Sequence, residues 1–290
     1  MSIPMNAVCL QCYLKKHAAA AQALGDDETV TAFLREVLGQ FANAPAGVDS
    51  AYLGGIVSPL YTKFFNTDPD RFREEKALSN RFVMERLDEI RRRVEETDDP
   101  VFSGLQFSIL GNYLDFSALG KTVSFEKLDD MLTQALEMEL DMQCYQQLCR
   151  DLSAGKKLLY LTDNAGEIGF DRIFAEVLQK KYPHLEITFC VRGGPIANDA
   201  TREDAKLVEI PFPVIDSGNA IGGTVISMLC PEAKKALDEA DVILAKGMGN
   251  TESMYGCGYN VYYAFLVKCD RFIQFFEKPF MTPMLIKDNG

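Results

Sequence analysis

The chain has 290 residues, 47% hydrophobic and 25% charged, enough for one large or two ordinary globular domains with a real core. Its formal net charge of −12 argues against nucleic acid or an anionic membrane as the main partner, because both need clustered Lys and Arg. A small anionic substrate stays open, since a local site with a bound cation is positive even inside an acidic protein.

The opening stretch MSIPMNAVCLQCYLKK lacks a basic start followed by a long apolar run, so it does not read as a secretory signal. No apolar run reaches the roughly 18 residues of a membrane span. Eight Cys with one tight pair then read as free thiols in a reducing cytoplasm.

The first half reads as helices. VCLQCYLKKHAAAAQAL is Ala-rich, and DDETVTAFLREVLGQFA places Val30, Phe33, Leu34, Val37, Leu38 and Phe41 at helical spacing behind an acidic first turn. DPDRFREEKALSNRFVMERLDEIRRRVEE predicts one long charged helix with Pro69 in its first turn. Two more helices are expected in DPVFSGLQFSILGNYLDF and SFEKLDDMLTQALEMELDMQCYQQLCRDL.

The second half changes period. Short apolar runs at 158–162, 187–191, 214–216 and 242–245 alternate with helical stretches at 170–181, 199–207 and 231–240. Strands alternating with helices predict an α/β fold, a doubly wound, mainly parallel, Rossmann-like three-layer sheet. Runs at 261–267 and 272–276 predict further strands. The plan is a helical N-terminal region or cap over residues 1–150 and an α/β metal-binding catalytic domain over 151–290, without a Pro/Gly/Ser-rich linker between them.

Open parallel sheets bind ligands at the carboxyl ends of their strands. Here those ends carry Asp163, Asn164 and Glu167; then Arg192, Asn198 and Asp199; then Gly218 and Thr224; then Lys246, Asn250 and Glu252. Asp163, Asn164 and Asp199 offer two carboxylates and an amide oxygen, a hard donor set that suits Mg²⁺ or Mn²⁺. Asp163 and Asp199 also read as helix N-caps. Lys246, ahead of Gly247 and Gly249, is placed to neutralise a phosphate oxygen, or else is a solvated strand-end Lys. GNAIGGT is one residue short of a Walker A loop and has no Lys before Thr224. The backbone from Gly218 to Thr224 still suits an anion. Cys9 and Cys12 form a C-x-x-C on a helix, which disfavours a thioredoxin-like role, and no second pair completes a zinc site. His17 and His184 read as surface residues.

TDNAGEIGFDR, RGGPIANDAT, DSGNAIGGT and KGMGNTE, in this order, resemble the family called domain of unknown function 89, also the damage-control phosphatase or ARMT1-like family. CLQC, DPDRFREEKALSN, GNYLDF and LVKC extend the resemblance from Cys9 to Cys269 and liken the chain to its prokaryotic C-x-x-C branch. The resemblance implies metal-dependent phosphomonoester hydrolysis with Mn²⁺, Co²⁺, Ni²⁺ or Mg²⁺, acting on sugar phosphates or damaged phosphometabolites. It implies Asp163, Asn164 and Asp199 as metal ligands, Lys246 as a phosphate contact, and Glu167, Asn198, Asn250 and Glu252 around the site. Asn112 and Asp115 are expected to reach it from the helical region. Met248 stands where the family commonly has Gln, and Ala197 and Ile221 also depart from its usual pattern, which bears on substrate choice. Asp163, Lys246 and Glu167 are the expected catalytic groups, Glu167 as a supporting or acid/base residue. A non-catalytic, metal-dependent phospho-ligand binding protein would use the same residues. A methyltransferase is disfavoured because no glycine-rich loop follows the first strand.

Overall fold

The computed structural model describes residues 2–119 and 123–287. Three helices come first: α1 (Ala7–Gln22), α2 (Asp27–Asn43) and α3 (Ser50–Phe65). Asn6, Asp26 and Asp49 begin them, each side chain accepting the backbone N–H three residues on. Their apolar faces meet in a small core of their own, built on Phe33, Val37, Val57 and Tyr61.

The long helix expected over 68–96 is two helices, α4 (Arg73–Met84) and α5 (Leu87–Glu95). The turn at Glu85 and Arg86 lets two separate apolar sets, Phe82 and Val83, then Leu87, Ile90 and Val94, enter one core. Arg86 locks the turn by forking onto Asp129 at 2.8 and 3.0 Å. Next come α6 (Pro100–Gly111), buried along almost its whole length, and the short α7 (Phe116–Leu119). The stretch expected as one helix over 124–152 is likewise split into α8 (Phe125–Thr133) and α9 (Met142–Ala154), the latter restarted by Asp141 as N-cap.

The α/β half runs β1 (Lys157–Leu161), α10 (Glu167–Lys181), β2 (Glu186–Val191), α11 (Arg202–Leu207), β3 (Val214–Asp216), α12 (Pro231–Glu239), β4 (Val242–Lys246), α13 (Gly247–Met254), β5 (Val261–Leu266), α14 (Asp270–Phe276) and β6 (Pro283–Lys287). The strands lie in the order β3-β2-β1-β4-β5-β6, all parallel except β6, which runs antiparallel to β5. The order reverses between β1 and β4, which opens a crevice at their carboxyl ends. The run at 272–276, expected as a strand, lies in α14. Three Phe in five residues satisfy either period, and here Phe272 and Phe276 turn onto Phe265 of β5.

Residues alternate between two faces of the sheet, as pleating requires. Leu158, Tyr160, Val242, Leu244, Tyr262 and Ala264 enter one core with α6 and α10. Leu159, Leu161, Ile243, Ala245, Tyr263 and Phe265 enter a second core with α12 to α14. Residue 150 is therefore not a break in packing. Helices α4 to α6, from the helical half, complete the first outer layer, and only α1 to α3 keep a separate core.

Candidate functional site

A cavity of about 490 Å³ lies where the crevice meets the N-terminal helices. Asp163, Asn164, Asp199, Asp115 and Glu252 all line it. The loops after β1 and β2 are stitched together there. Ala200 N–H donates to Asp163 O at 2.7 Å, Ala165 N–H to Asn198 O at 2.9 Å, and Asn164 pairs with Asp199 as an isolated bridge. This stitching, rather than helix capping, brings Asp163, Asn164 and Asp199 together; Thr201 caps α11 instead.

The side chains are oriented by amides. Asn112 Nδ2 and Asn164 Nδ2 both donate to Asp163 Oδ2, at 2.9 and 2.8 Å, and to Glu167 Oε2, at 2.9 and 2.7 Å. Asn198 Nδ2 donates to Asn164 Oδ1 at 2.9 Å, fixing which end of that amide carries the oxygen. Arg192 Nε donates to Asp199 Oδ2 at 2.7 Å. Arg192 Nη2 is buried without a hydrogen bond and stands 3.9 Å from Asp163 Oδ1. Among the described residues nothing donates a hydrogen bond to Asp163 Oδ1 or Asp199 Oδ1.

Burial pushes the Asp163 carboxyl well above its usual range, and Glu167 and Asp199 add to the push. Burial raises Asp199 to about 6 although Arg192 pulls it back. Two uncommitted carboxylate oxygens and an amide oxygen, buried and short of positive charge, fit a hard divalent cation. Among the described residues no group of three or more His, Cys, Asp or Glu gathers as a metal site; the donor set here is two carboxylates and one amide.

Lys246 lies behind the cavity wall. It is fully buried and does not line the cavity. Its ammonium donates to Ser108 O, Glu167 Oε1 and Asp171 Oδ1 at 2.9, 2.8 and 2.7 Å, which uses all three protons. Burial opposes its charge, but Asp171 and Glu167 hold the ammonium above its usual value. Glu167, also fully buried, links this Lys to Asn112 and Asn164. Asn112 and Asn198 likewise support the site from behind the cavity wall.

Most residues of the glycine-rich segments also lie away from the cavity. Gly218 is exposed, with its N–H on Asp216 Oδ1 and Cys230 packed against it. Thr224 and Asn250 are buried and bonded to each other at 2.8 Å, and Asn250 also ties Arg192 to the carbonyls of Thr162 and Lys246. Gly223 and Gly249 let the loop and α13 pack backbone to backbone. Of these segments only Gly222, Met248, Gly249 and Glu252 reach the cavity. Burial raises Glu252 to about 7, and its carboxylate accepts from Ser50 N–H at 3.2 Å and from the Ser50 hydroxyl.

Other lining residues are not among the expected ones, although the first of them also follows a strand end. Lys268, just past β5, donates to Asp115 Oδ2 and Asn112 O, both at 2.7 Å. Burial raises Asp115, but Lys268 overcomes it and holds that carboxyl below its usual range. Met248, the departure from the family's Gln, accepts Lys268 N–H on its sulfur at 3.3 Å. Lys16, Arg71 and Arg271 line the cavity from α1, the turn before α4, and α14, and Cys9, Cys12 and Cys269 lie beside them. His17 is half-buried rather than a surface residue, bonded to Tyr61 Oη at 2.7 Å, and burial lowers it to about 3.

The structure of a family protein from Pyrococcus horikoshii superposes with a TM-score of 0.84, covering 99% of each chain at 24% identity, so the two share a fold. A protein of Archaeoglobus fulgidus named damage-control phosphatase is 31% identical over 86% of this chain and 87% of its own. A Methanocaldococcus jannaschii protein of uncharacterised role is 34% identical over 87% and 84%. A P. horikoshii protein named damage-control phosphatase is 32% identical over 70% and 69%. The sequence profile of the damage-control phosphatase ARMT1-like domain matches residues 5–279, and with it the chain belongs to that family.

Proposed function

We propose that this chain is a metal-dependent phosphatase that hydrolyses monoesters of small phosphorylated metabolites. The observation that carries the reading is that Asp163, Asn164 and Asp199 line one cavity together, two carboxyls raised chiefly by burial with an amide beside them. The names of the A. fulgidus and P. horikoshii relatives agree with it. These three residues would hold Mn²⁺, Co²⁺, Ni²⁺ or Mg²⁺, which supplies charge to phosphoryl oxygens when bound.

The chain's own groups do the rest. Asn112 and Asn164 hold Asp163 Oδ2 so that its other oxygen faces the cavity. Arg192 does the same for Asp199. Lys246 acts behind them, holding Glu167 and through it the two amides. Lys268 brings a cation to the cavity wall for a phosphate oxygen. Glu252 keeps a proton up to about pH 7, the range in which a carboxyl can protonate a leaving alkoxide. The N-terminal helices close over the site and limit substrate size.

The test is phosphate release from para-nitrophenyl phosphate and a panel of sugar phosphates. Chelator-treated protein is compared with protein given each metal. Turnover restored by metal and lost in Asp163→Ala is the expected result. An active Asp163→Ala enzyme overturns the site, and metal and phosphate binding with no turnover makes the chain a phospho-ligand carrier.

A further inference from the structure

The cavity is electrically two-ended, and the proposed hydrolysis uses the acidic end and Lys268 beside it, but neither Lys16 nor Arg71. Asp163 feels Lys268 and Asp115 as charged neighbours; Lys16 feels Asp115, Lys268 and Arg71; His17 feels Lys16 and Arg71. Charge thus runs from the acids through the Asp115–Lys268 pair to Lys16 and Arg71. With His17 neutral, that far end is cationic.

Arg71 is the unusual member. It is half-buried, and among the described residues no carboxylate lies within ion-pairing distance of it. An aromatic ring holds it instead: its guanidinium carbon lies 3.6 Å from the Tyr61 ring centroid. Tyr61 is fixed in turn by the hydrogen bond to His17. Tyr61 also takes a hydrogen bond from this guanidinium, but a guanidinium has five N–H donors, and its planar fork matches an oxyanion. Lys16 stands nearby with its surface open at the cavity, while the crowding walls lower its pKa. Structural Arg residues of this chain look different: Arg86, Arg91, Arg172 and Arg202 each hold a carboxylate within 2.9 Å.

We infer that Arg71 and Lys16 form a subsite for a second anionic group, so that the substrate is a phosphorylated metabolite carrying a carboxylate or second phosphate away from its scissile phosphate. The subsite rests on the phosphatase reading for its role, but not for its existence, because it is a binding site. The cavity volume of about 490 Å³ is in the range that holds a small metabolite with both anions inside. Neutral sugar monophosphates would occupy the acidic end and leave Arg71 unmatched.

The test is binding first, by calorimetry on full-length protein with Ca²⁺, a hard cation outside the four proposed activating metals. Glycerol 3-phosphate is compared with 3-phosphoglycerate, which replaces a hydroxymethyl by a carboxylate. Fructose 6-phosphate is compared with fructose 1,6-bisphosphate as the second-phosphate arm. In at least one pair the member with the second anionic group is expected to bind about 10-fold or more tighter than its partner, the scale of a hydrogen bond to a charged group. The arm that shows it identifies the second group. Arg71→Met should bring that ratio to about 1, and Lys16→Met should reduce it if Arg71→Met does not fold. Equal binding within both pairs, no binding of any probe, or a ratio that survives both substitutions overturns the subsite. On the wild-type enzyme the same pairs are then read as KM. Discrimination in binding without turnover of any probe keeps the subsite and rejects the phosphatase.

Discussion

Gly247 shows how tightly the acidic end is fitted. Its φ is +78°, and a Cβ there would overlap the Asp163 carboxylate. Gly247→Ala is expected to displace Asp163 and lower turnover about 100-fold, the scale of a 1 Å misplacement, while circular dichroism stays native. Glu252 carries a pH prediction. Its folded pKa of about 7 lies above the unfolded value near 4.5, so the buried carboxylate costs stability that grows as pH rises between those values. Glu252→Gln should therefore stabilise the metal-free protein more at pH 8 than at pH 5, by up to about 3 kcal/mol; a difference in melting temperature independent of pH speaks against it. Asp163, Asn164 and Asp199 are legible in the sequence because residue type and strand-end position agree. Lys246 occupies the same kind of position, yet parity decides its direction. Period two sends it to the face of Val242 and Leu244, under α6 and α10, where Asp171 and Glu167 wait. Arg71 gives no such signal, since it lies in a charged stretch without periodicity.

At the scale of elements, the parallel strands are legible because each is a short apolar run between turn residues. The helical half is less so. Charged helices such as α4 and α5 look continuous until tertiary packing bends them, and β6 has no neighbour in sequence to suggest its antiparallel pairing. The segment DPDRFREEKALSN, one of the family-like stretches, serves the fold. Lys76 pairs with Asp204 at 2.8 Å, Asn80 Nδ2 donates to the same carboxylate at 2.9 Å, and Asn80 Oδ1 accepts Gly166 N–H at 2.7 Å. It thereby clamps α4 to α11 and to the first turn of α10. The junction of β4 with α6 and α10 rests on Lys246. Lys246→Met leaves Glu167 and Asp171 buried without their cation, and a loss of about 3–5 kcal/mol is expected. The loss should shrink toward pH 5 as Asp171, raised to about 6 chiefly by burial, takes up a proton. Urea unfolding at pH 8 and pH 5 checks this. A phosphate-contacting Lys would instead lose turnover with stability unchanged.

At the scale of the whole molecule, apolar packing divides the chain unequally. The two large cores clasp the sheet, and α1 to α3 keep the small third core beside the cavity. Amides of α1 to α3 should exchange with deuterium faster than those of β1, β4 and β5, since fewer buried contacts restrain them; equal protection would mean one cooperative unit. The pair between Asp115 and Lys268 joins residues 153 positions apart. That separation has a consequence during synthesis. The helices over the cavity leave the ribosome first, the acids of the β1 and β2 loops follow, and Lys268 comes only after β5. A nascent chain halted before that point holds the acids without this cation, and β4 without its outer neighbour. Activity should thus arrive in one step, once β5 and Lys268 are made, rather than by degrees.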